Sequence, residues 1–595
     1  MSPGGTHNSE FILKGFPASP GIAIGRAYLY TKRVPVVEEW SLCDGEIEEE
    51  IERLMHAIAK SEKELNKILS FARQKLGEAK AKIFEAQLMI LHDPYLNDAF
   101  AKRIRSEKKN AEYIVSTEVE KYQKLMLAAH DEYMHERAHD VEDLKNRIVR
   151  NLQEEKLISR LEGSPVIVSD RLTPADTMIL SRNEILGYAT NLGGITSHAA
   201  LLARSLKLPA VVGLGDATAR IATGDSVILD GYAGVLVVHP TGKRIEEYEA
   251  KRERFVQFEA KLTGLRDLPA KTLDGHTVEL AANLEFEEEI DLIRFQGAHG
   301  VGLYRTESLL MGRDSFPSED EQYANYKKIA DRIYPHTLIM RTFDIGGDKV
   351  ELQSIEEANP FLGWRGIRVF LDRPELFLNQ LCAMLRASTR KNIAIMFPMV
   401  TSVGELRKAK EYLDQAKADL RGRKLRFDEK LRIGVMIEVP SAALMAEDIA
   451  REVDFLSIGT NDLVQYLLAV DRGNSIVSKL YQQFHPAVVR TLKHIIDAGH
   501  KQGKWVGVCG EIAGDPLATI LLLGMGLDEF SVIPAFLPEI KKIIRTVAYQ
   551  KAQHVAKTVL TLSTAEEIEA HLASAMHTMC PEIPLPRDTM DKEFQ

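Results

Sequence analysis

Asp454-Phe455-Leu456-Ser457-Ile458-Gly459-Thr460-Asn461-Asp462-Leu463-Val464-Gln465-Tyr466-Leu467-Leu468-Ala469-Val470-Asp471-Arg472 joins a short apolar run to a polar segment. The run at 455–459 predicts a buried strand, and Asn461 and Asp462 stand where that strand finishes. The same unit recurs through residues 272–549. Strands are predicted at 278–283, 300–305, 338–345, 393–399, 433–439, 455–459, 505–510 and 529–532, with helical segments between them. Eight β/α repeats in roughly 250 residues fit a closed parallel (β/α)8 barrel of the TIM type. An open doubly wound sheet has the same strand count, so closure is an expectation.

Barrel enzymes build their sites from the loops at the C-terminal ends of the strands, and the predicted strand ends are strongly polar. They carry Asn283; Arg305 with Glu307; Arg341, Asp344 and Lys349; Arg365 and Arg368; Glu438; Asn461 and Asp462; Arg472; and Cys509 with Glu511. Guanidinium groups grip phosphate oxygens in bidentate fashion, which selects Arg305, Arg341 and Arg472. Glu438 and Asp462 suit Mg2+, which takes one or two protein carboxylates and fills its octahedron with water and phosphate oxygens. Lys349 adds positive charge. The competing role for each such residue is pairing across the mouth to neutralise buried charge. A buried structural thiol is the commoner role for an isolated cysteine; beside these cations the Cys509 thiol, ordinarily near about 8.5, could instead be shifted enough to exchange protons near neutral pH.

Upstream lies Gly193-Gly194-Ile195-Thr196-Ser197-His198-Ala199-Ala200-Leu201-Leu202-Ala203-Arg204, one histidine between a glycine turn and an apolar, helix-forming run. Thr196 or Ser197 can cap the helix, whose first free N–H groups form an anion site beside the imidazole. Arg204, about two turns on, is a candidate phosphate clamp. The chain has 17 histidines, and most serve as ordinary surface or core residues. The surrounding pattern singles out His198 as a covalent phosphate carrier.

With 595 residues and 45% hydrophobic composition, the chain is a globular protein of several domains. A net charge of −10 argues against nucleic acid as the main partner. Cys43, Cys382, Cys509 and Cys580 show no paired or metal-ligand spacing, as expected for reduced thiols in the cytoplasm. Residues 1–15 lack a basic segment followed by an apolar run, and the longest apolar stretch, 518–527, is too short to span a bilayer. Neither secretion nor membrane insertion is expected.

The periodicities divide the chain. Residues 11–40 and 153–244 read as one small α/β domain with short β runs at 166–168, 211–212, 227–229 and 235–238. Residues 41–152 interrupt it with amphipathic helices, in which Ile51, Leu54, Ile58, Leu65, Ile68, Leu69, Val141, Leu144 and Ile148 mark the apolar faces. A charged helical linker at 245–267 leads to the barrel and its C-terminal helices at 268–579, and 580–595 form a tail.

These segments together resemble enzyme I of the bacterial sugar phosphotransferase system, the phosphoenolpyruvate–protein phosphotransferases. The likeness extends over residues 14–579. Besides the histidine segment and 454–472, it is carried by Ser19-Pro20-Gly21-Ile22-Ala23, Gly302-Leu303-Tyr304-Arg305-Thr306-Glu307, the run from Arg341 to Lys349, and Asn359-Pro360-Phe361-Leu362-Gly363-Trp364-Arg365. Val464 and Leu467 depart from it, standing where relatives often carry hydroxyl residues.

The resemblance implies that His198 takes the phosphoryl group of phosphoenolpyruvate at the barrel. Glu438 and Asp462 bind Mg2+, and Arg305, Arg341, Lys349, Arg365, Asn461, Asp462 and Arg472 hold the substrate. Cys509 protonates the methylene carbon of the enolate to give pyruvate, while Thr177 and Arg204 steady the histidine and its phosphate. It further implies a histidine domain that swivels between substrate and partner, delivery to a histidine of the phosphocarrier protein HPr, and a homodimer formed through the barrel. HPr docks on the helical insert, where Lys82-Ile83-Phe84-Glu85-Ala86-Gln87 and Glu136-Arg137-Ala138-His139-Asp140-Val141 look like family segments. Two rivals are weighed. A dikinase needs a nucleotide-binding domain, and no phosphate-binding glycine loop is present. A scaffold without catalysis does not need Cys509, the metal carboxylates and the arginines.

Overall fold

The computed structural model describes residues 9–30, 37–76, 78–92, 94–128, 132–153, 163–181, 184–193, 198–206, 208–310, 315–346, 359–472, 474 and 476–583. They form two compact units, the first ending at Val256 and the second beginning at Gln257.

The first unit is built on eight strands: β1 (Phe11–Lys14), β2 (Phe16–Ser19), β3 (Ile22–Tyr30), β4 (Val166–Ser169), β5 (Gly187–Thr190), β6 (Ala210–Val212), β7 (Ser226–Asp230) and β8 (Val235–Val238). They lie in the order β1-β8-β7-β3-β4-β5-β6-β2. β3 to β6 pair in parallel, and β7 and β8 add antiparallel to the other side of β3. Pro20 and Gly21 turn the chain between β2 and β3. Gly21 has φ +131°, and a Cβ there would lie 2.6 Å from Pro209 Cγ, so only glycine fits.

Five helices interrupt this sheet between β3 and β4: α1 (Ile47–Leu76), α2 (Glu78–Leu91), α3 (Pro94–Glu107), α4 (Ala111–Ala128) and α5 (Glu132–Leu152). Leu54 and Leu65 of α1 meet Leu144 and Ile148 of α5 in one buried cluster. Burying each such side chain contributes about 1.5–3 kcal/mol relative to exposure. Ala175 and Met178 of α6 (Pro174–Leu180) and Leu202 of α7 (His198–Leu206) belong to the same cluster. The insert therefore packs on the two helices that hold the phosphohistidine candidates.

After α8 (Ala217–Arg220), α9 (Gly242–Thr263) occupies the segment read as a linker. It is not solvated all round: Tyr248 and Phe255 pack against Ile22, Ile228 and Val237 of the sheet. Its first half is thus part of the first unit.

The second unit is a closed barrel of eight parallel strands, which excludes the open sheet. They are β9 (Glu279–Leu284), β10 (Gly300–Arg305), β11 (Thr337–Arg341), β12 (Ile393–Phe397), β13 (Arg432–Ile437), β14 (Phe455–Ile458), β15 (Trp505–Val508) and β16 (Glu529–Val532). β16 closes on β9 with Glu529 opposite Glu279. β11 stops at Arg341, four residues before the predicted end, because Asp344 leaves the ladder to meet Arg365. Inside, Phe455 stacks on Trp505 with centroids 4.6 Å apart. Helical segments surround the barrel, and Cys580 and Ile583 bury in its core beyond the last helix, Ala565–Met579. All four cysteines are unpaired. No helix among the described residues is long and apolar enough to cross a membrane.

Candidate active site at the mouth of the barrel

Arg341 ends β11 in a buried position, with Nη2 3.1 Å from Glu307 Oε1 and Nη1 3.3 Å from Asp344 Oδ2. Arg365, reached through the short helical turn Pro360–Leu362, is fully enclosed. Its Nε and Nη2 donate to the two oxygens of Asp344, both at 3.0 Å. Nη1 and Nη2 donate to the two oxygens of Asp462 at 3.2 and 2.9 Å, and Nη1 also donates to Tyr466 Oη. All five guanidinium N–H groups are thereby spent. Arg365, expected to hold substrate, directs these donors at Asp344, Asp462 and Tyr466.

Glu438 follows β13, and its Oε1 accepts the Met399 N–H at 2.6 Å. A Cβ on Gly459 would lie 2.8 Å from its Oε2, so the glycine after β14 leaves room for this carboxylate. Burial pushes the Glu438 carboxyl up to about 8, reinforced by Asp462 and Asp344 and opposed by Arg341 and Arg365. Arg341 shows the complementary effect: burial works against its charge, but Glu307, Asp344 and Glu438 outweigh that and raise it. Two arginines thus stand among four carboxylates, Glu307, Asp344, Glu438 and Asp462. The surplus of carboxyl groups over arginines, and the oxygen chemistry of Glu438 and Asp462, fit a divalent hard cation, whose binding would displace the Glu438 proton. Arg341 Nε, Thr342 Oγ1 and Thr460 Oγ1 are buried with no hydrogen-bond partner among the described residues. Buried polar atoms of this kind are rare without a function. Among those residues no group of three or more His, Cys, Asp or Glu could hold a metal.

The other strand ends join the same mouth. Asn461 Nδ2 donates to Glu511 Oε1 at 3.1 Å, and its Oδ1 accepts the Glu511 N–H at 2.9 Å. Arg472 Nη1 lies 3.9 Å from Glu511 Oε1. Arg305 ends β10 partly exposed. Arg368 instead secures the preceding loop by donating to the carbonyls of Leu362 and Gly363. Lys349 lies outside the described residues.

Cys509 follows β15 in the barrel interior, where no shift toward neutral pH arises. Burial pushes the thiol up to about 11; the Ser457 hydrogen bond, Arg341 and Arg305 only partly oppose that. Desolvation exceeds the pull of the cations, so the sulfur keeps its proton across the physiological range.

In the first unit His198 opens α7. Thr196, Ser197 and the His198 side chain lie outside the described residues. Arg204 Nη1 donates to the Ala18 carbonyl at 3.1 Å. Thr177 is buried in α6, and its hydroxyl donates to the Thr173 carbonyl at 3.0 Å. Thr173 and Asp176 cap that helix reciprocally.

Sequence reasoning missed Glu285, Tyr466 and Ser457. Burial raises the Glu285 carboxyl, opposed mainly by Arg305. Tyr466 follows Asp462 by four residues on the helix Thr460–Leu468, a spacing that places both on one face. Ser457 was readable as a polar residue inside an apolar strand.

A barrel mouth of arginines, carboxylates and a thiol, accompanied by a separate domain bearing a histidine, belongs here to the class of phosphoenolpyruvate-utilising enzymes, as three family profiles show. Family profiles match in chain order: PEP-utilising enzyme, N-terminal, over 14–137; PEP-utilising enzyme, mobile domain, over 161–234; and PEP-utilising enzyme, PEP-binding domain, over 259–549. The chain is 44% identical over 563 residues to the phosphoenolpyruvate-protein phosphotransferase of Haemophilus influenzae, covering 94% of this chain and 98% of that one. It is 42% identical to the protein of that name from Bacillus subtilis, again covering 94% and 98%. A solved structure of Enzyme I (nEIt) shares 41% identity, covering 41% of this chain and 99% of that one, with a TM-score of 0.37. The chain belongs to the phosphoenolpyruvate–protein phosphotransferase family, a family of transferases.

Proposed function

We propose that the chain moves the phosphoryl group of phosphoenolpyruvate onto His198 and from there to a histidine of the phosphocarrier HPr, as the first step of phosphotransferase-dependent sugar uptake. The observation that carries this reading is the convergence of Arg341, Glu438, Asp462 and Cys509 at one barrel mouth. Arg305, Arg341, Arg472 and Lys349 neutralise the phosphate and carboxylate of the substrate, while Asn461 orients it. Glu438 and Asp462 hold Mg2+, which when bound draws charge from the transferring group. Arg365 keeps the Asp462 carboxylate aimed. Little covalent assistance is needed beyond alignment and charge neutralisation.

His198 attacks phosphorus in line with the enolate leaving group, and Cys509 then protonates the methylene carbon. A thiol that stays protonated suits this acid role. Thr177 and Arg204 steady the histidine. Helices α1 to α5 provide the HPr surface, and the chain acts as a homodimer through the barrel in the cytoplasm. Cys509→Ala is expected to leave phosphoenolpyruvate binding intact and to slow pyruvate formation by about a hundredfold or more. Pyruvate formed at the unaltered rate contradicts the acid role.

A further inference from the structure

Cys509 is held by three neighbouring strands. Its backbone carbonyl accepts Asn283 Nδ2 from β9 at 3.1 Å, and Asn283 Oδ1 in turn accepts the Ser531 hydroxyl from β16 at 2.7 Å. Its sulfur lies 3.6 Å from the Ile458 carbonyl, to which the S–H donates. From the same strand, β14, the Ser457 hydroxyl donates to Sγ at 3.4 Å. Ser457 is 1% exposed and Cys509 3%, so water has little access to this pair.

We propose that Ser457 is a positioning residue for protonation: its hydroxyl fixes the Cys509 thiol rotamer and stabilises the thiolate left after the proton moves to carbon. This rests on the reading of Cys509 as the acid. In that step the S–H bond breaks and a C–H bond forms at the methylene carbon of enolpyruvate. The enolate electron pair makes the new bond, its oxygen becomes the keto oxygen of pyruvate, and sulfur retains the pair it shared with hydrogen. Charge therefore appears on a buried sulfur. The Ile458 carbonyl cannot stabilise it, since a carbonyl only accepts; the Ser457 hydroxyl can. A buried charge without a donor is costly, and a hydrogen bond to a charged group is among the stronger ones. The Ser457 bond is also the first influence that opposes the upward push of burial on this thiol.

The test uses the full chain with Mg2+ and pyruvate in D2O, where exchange of the methyl hydrogens, followed by proton NMR, runs the protonation step in reverse. Ser457→Ala is expected to slow exchange by about ten- to a hundredfold, with the KM for phosphoenolpyruvate and the amount of protein phosphorylated unchanged. Ser457→Thr, which keeps the hydroxyl, is expected to restore most of the rate. Wild-type exchange in Ser457→Ala overturns the proposal, as does slow exchange that threonine fails to rescue. Cys509→Ala separates the two readings. Loss of exchange there with normal exchange in Ser457→Ala removes only the serine role, whereas exchange persisting in Cys509→Ala removes the acid assignment itself.

Discussion

Replacing Arg365 by methionine removes the guanidinium that holds Asp344 and Asp462 together. The side chain is fully buried and its five N–H groups all bond to Asp344, Asp462 and Tyr466. Methionine fills most of the volume, so the loss is mainly electrostatic: Asp462 loses the Arg365 charge, and Asp344 is left with Arg341 alone. Removing one partner of a buried pair typically costs about 3–5 kcal/mol, because the remaining charge stays desolvated. The cost has a diagnostic pH dependence. Unpaired carboxylates bind protons more tightly folded than unfolded, so the variant should be nearly as stable as wild type at low pH and fall behind as pH rises toward 8. Guanidinium chloride unfolding, followed by tryptophan fluorescence at several pH values without metal, measures this. Added Mg2+ should recover part of the loss by supplying positive charge at Asp462. A loss below about 1 kcal/mol at pH 8, or one independent of pH, refutes the view that Arg365 stabilises these carboxylates.

Other perturbations test separate parts of the account. Glu529 enters the barrel from its opposite end, where its Oε1 is buried without a partner among the described residues and burial raises the carboxyl from 4.5 to about 8. The folded state therefore binds this proton more tightly, and stability falls as pH rises from 4.5 to 8. Glu529→Gln should abolish that decline and exceed wild type by about 2–3 kcal/mol at pH 8, after allowance for partial solvent contact; parallel pH–stability curves for the two proteins would contradict it. Gly459→Ala places a Cβ 2.8 Å from Glu438 Oε2 and 2.9 Å from Met436 Cγ. It should raise the Mg2+ concentration for half-maximal activity severalfold while costing about 1–3 kcal/mol of stability; an unaltered Mg2+ requirement argues against Glu438 as a metal ligand.

The fold was legible where period and spacing were strong. All eight barrel strands were visible because each is an apolar run bounded by polar ends, but closure depends on the pairing of β16 with β9, which no local pattern encodes. β5 went unread because Gly187-Tyr188-Ala189-Thr190 is four residues long and lacks an aliphatic run. The linker pattern hid Tyr248 and Phe255, two aromatic residues in a charged helix that bury against the sheet. At the mouth, residue types named the arginines and carboxylates but not their partners. Arg341 and Arg365 look alike in sequence; only packing separates an arginine with an unpaired Nε from one with every donor spent. The two roles open to the Cys509 thiol divide in the same way, since charge can be counted from sequence and desolvation cannot.

The central claim is that His198 carries the phosphoryl group. Incubation of the full chain with phosphoenolpyruvate radiolabelled at phosphorus and Mg2+ should give one acid-labile label per chain, which passes to HPr when HPr is added. His198→Ala should take up none. Label retained by that variant, or label that survives acid, contradicts the account.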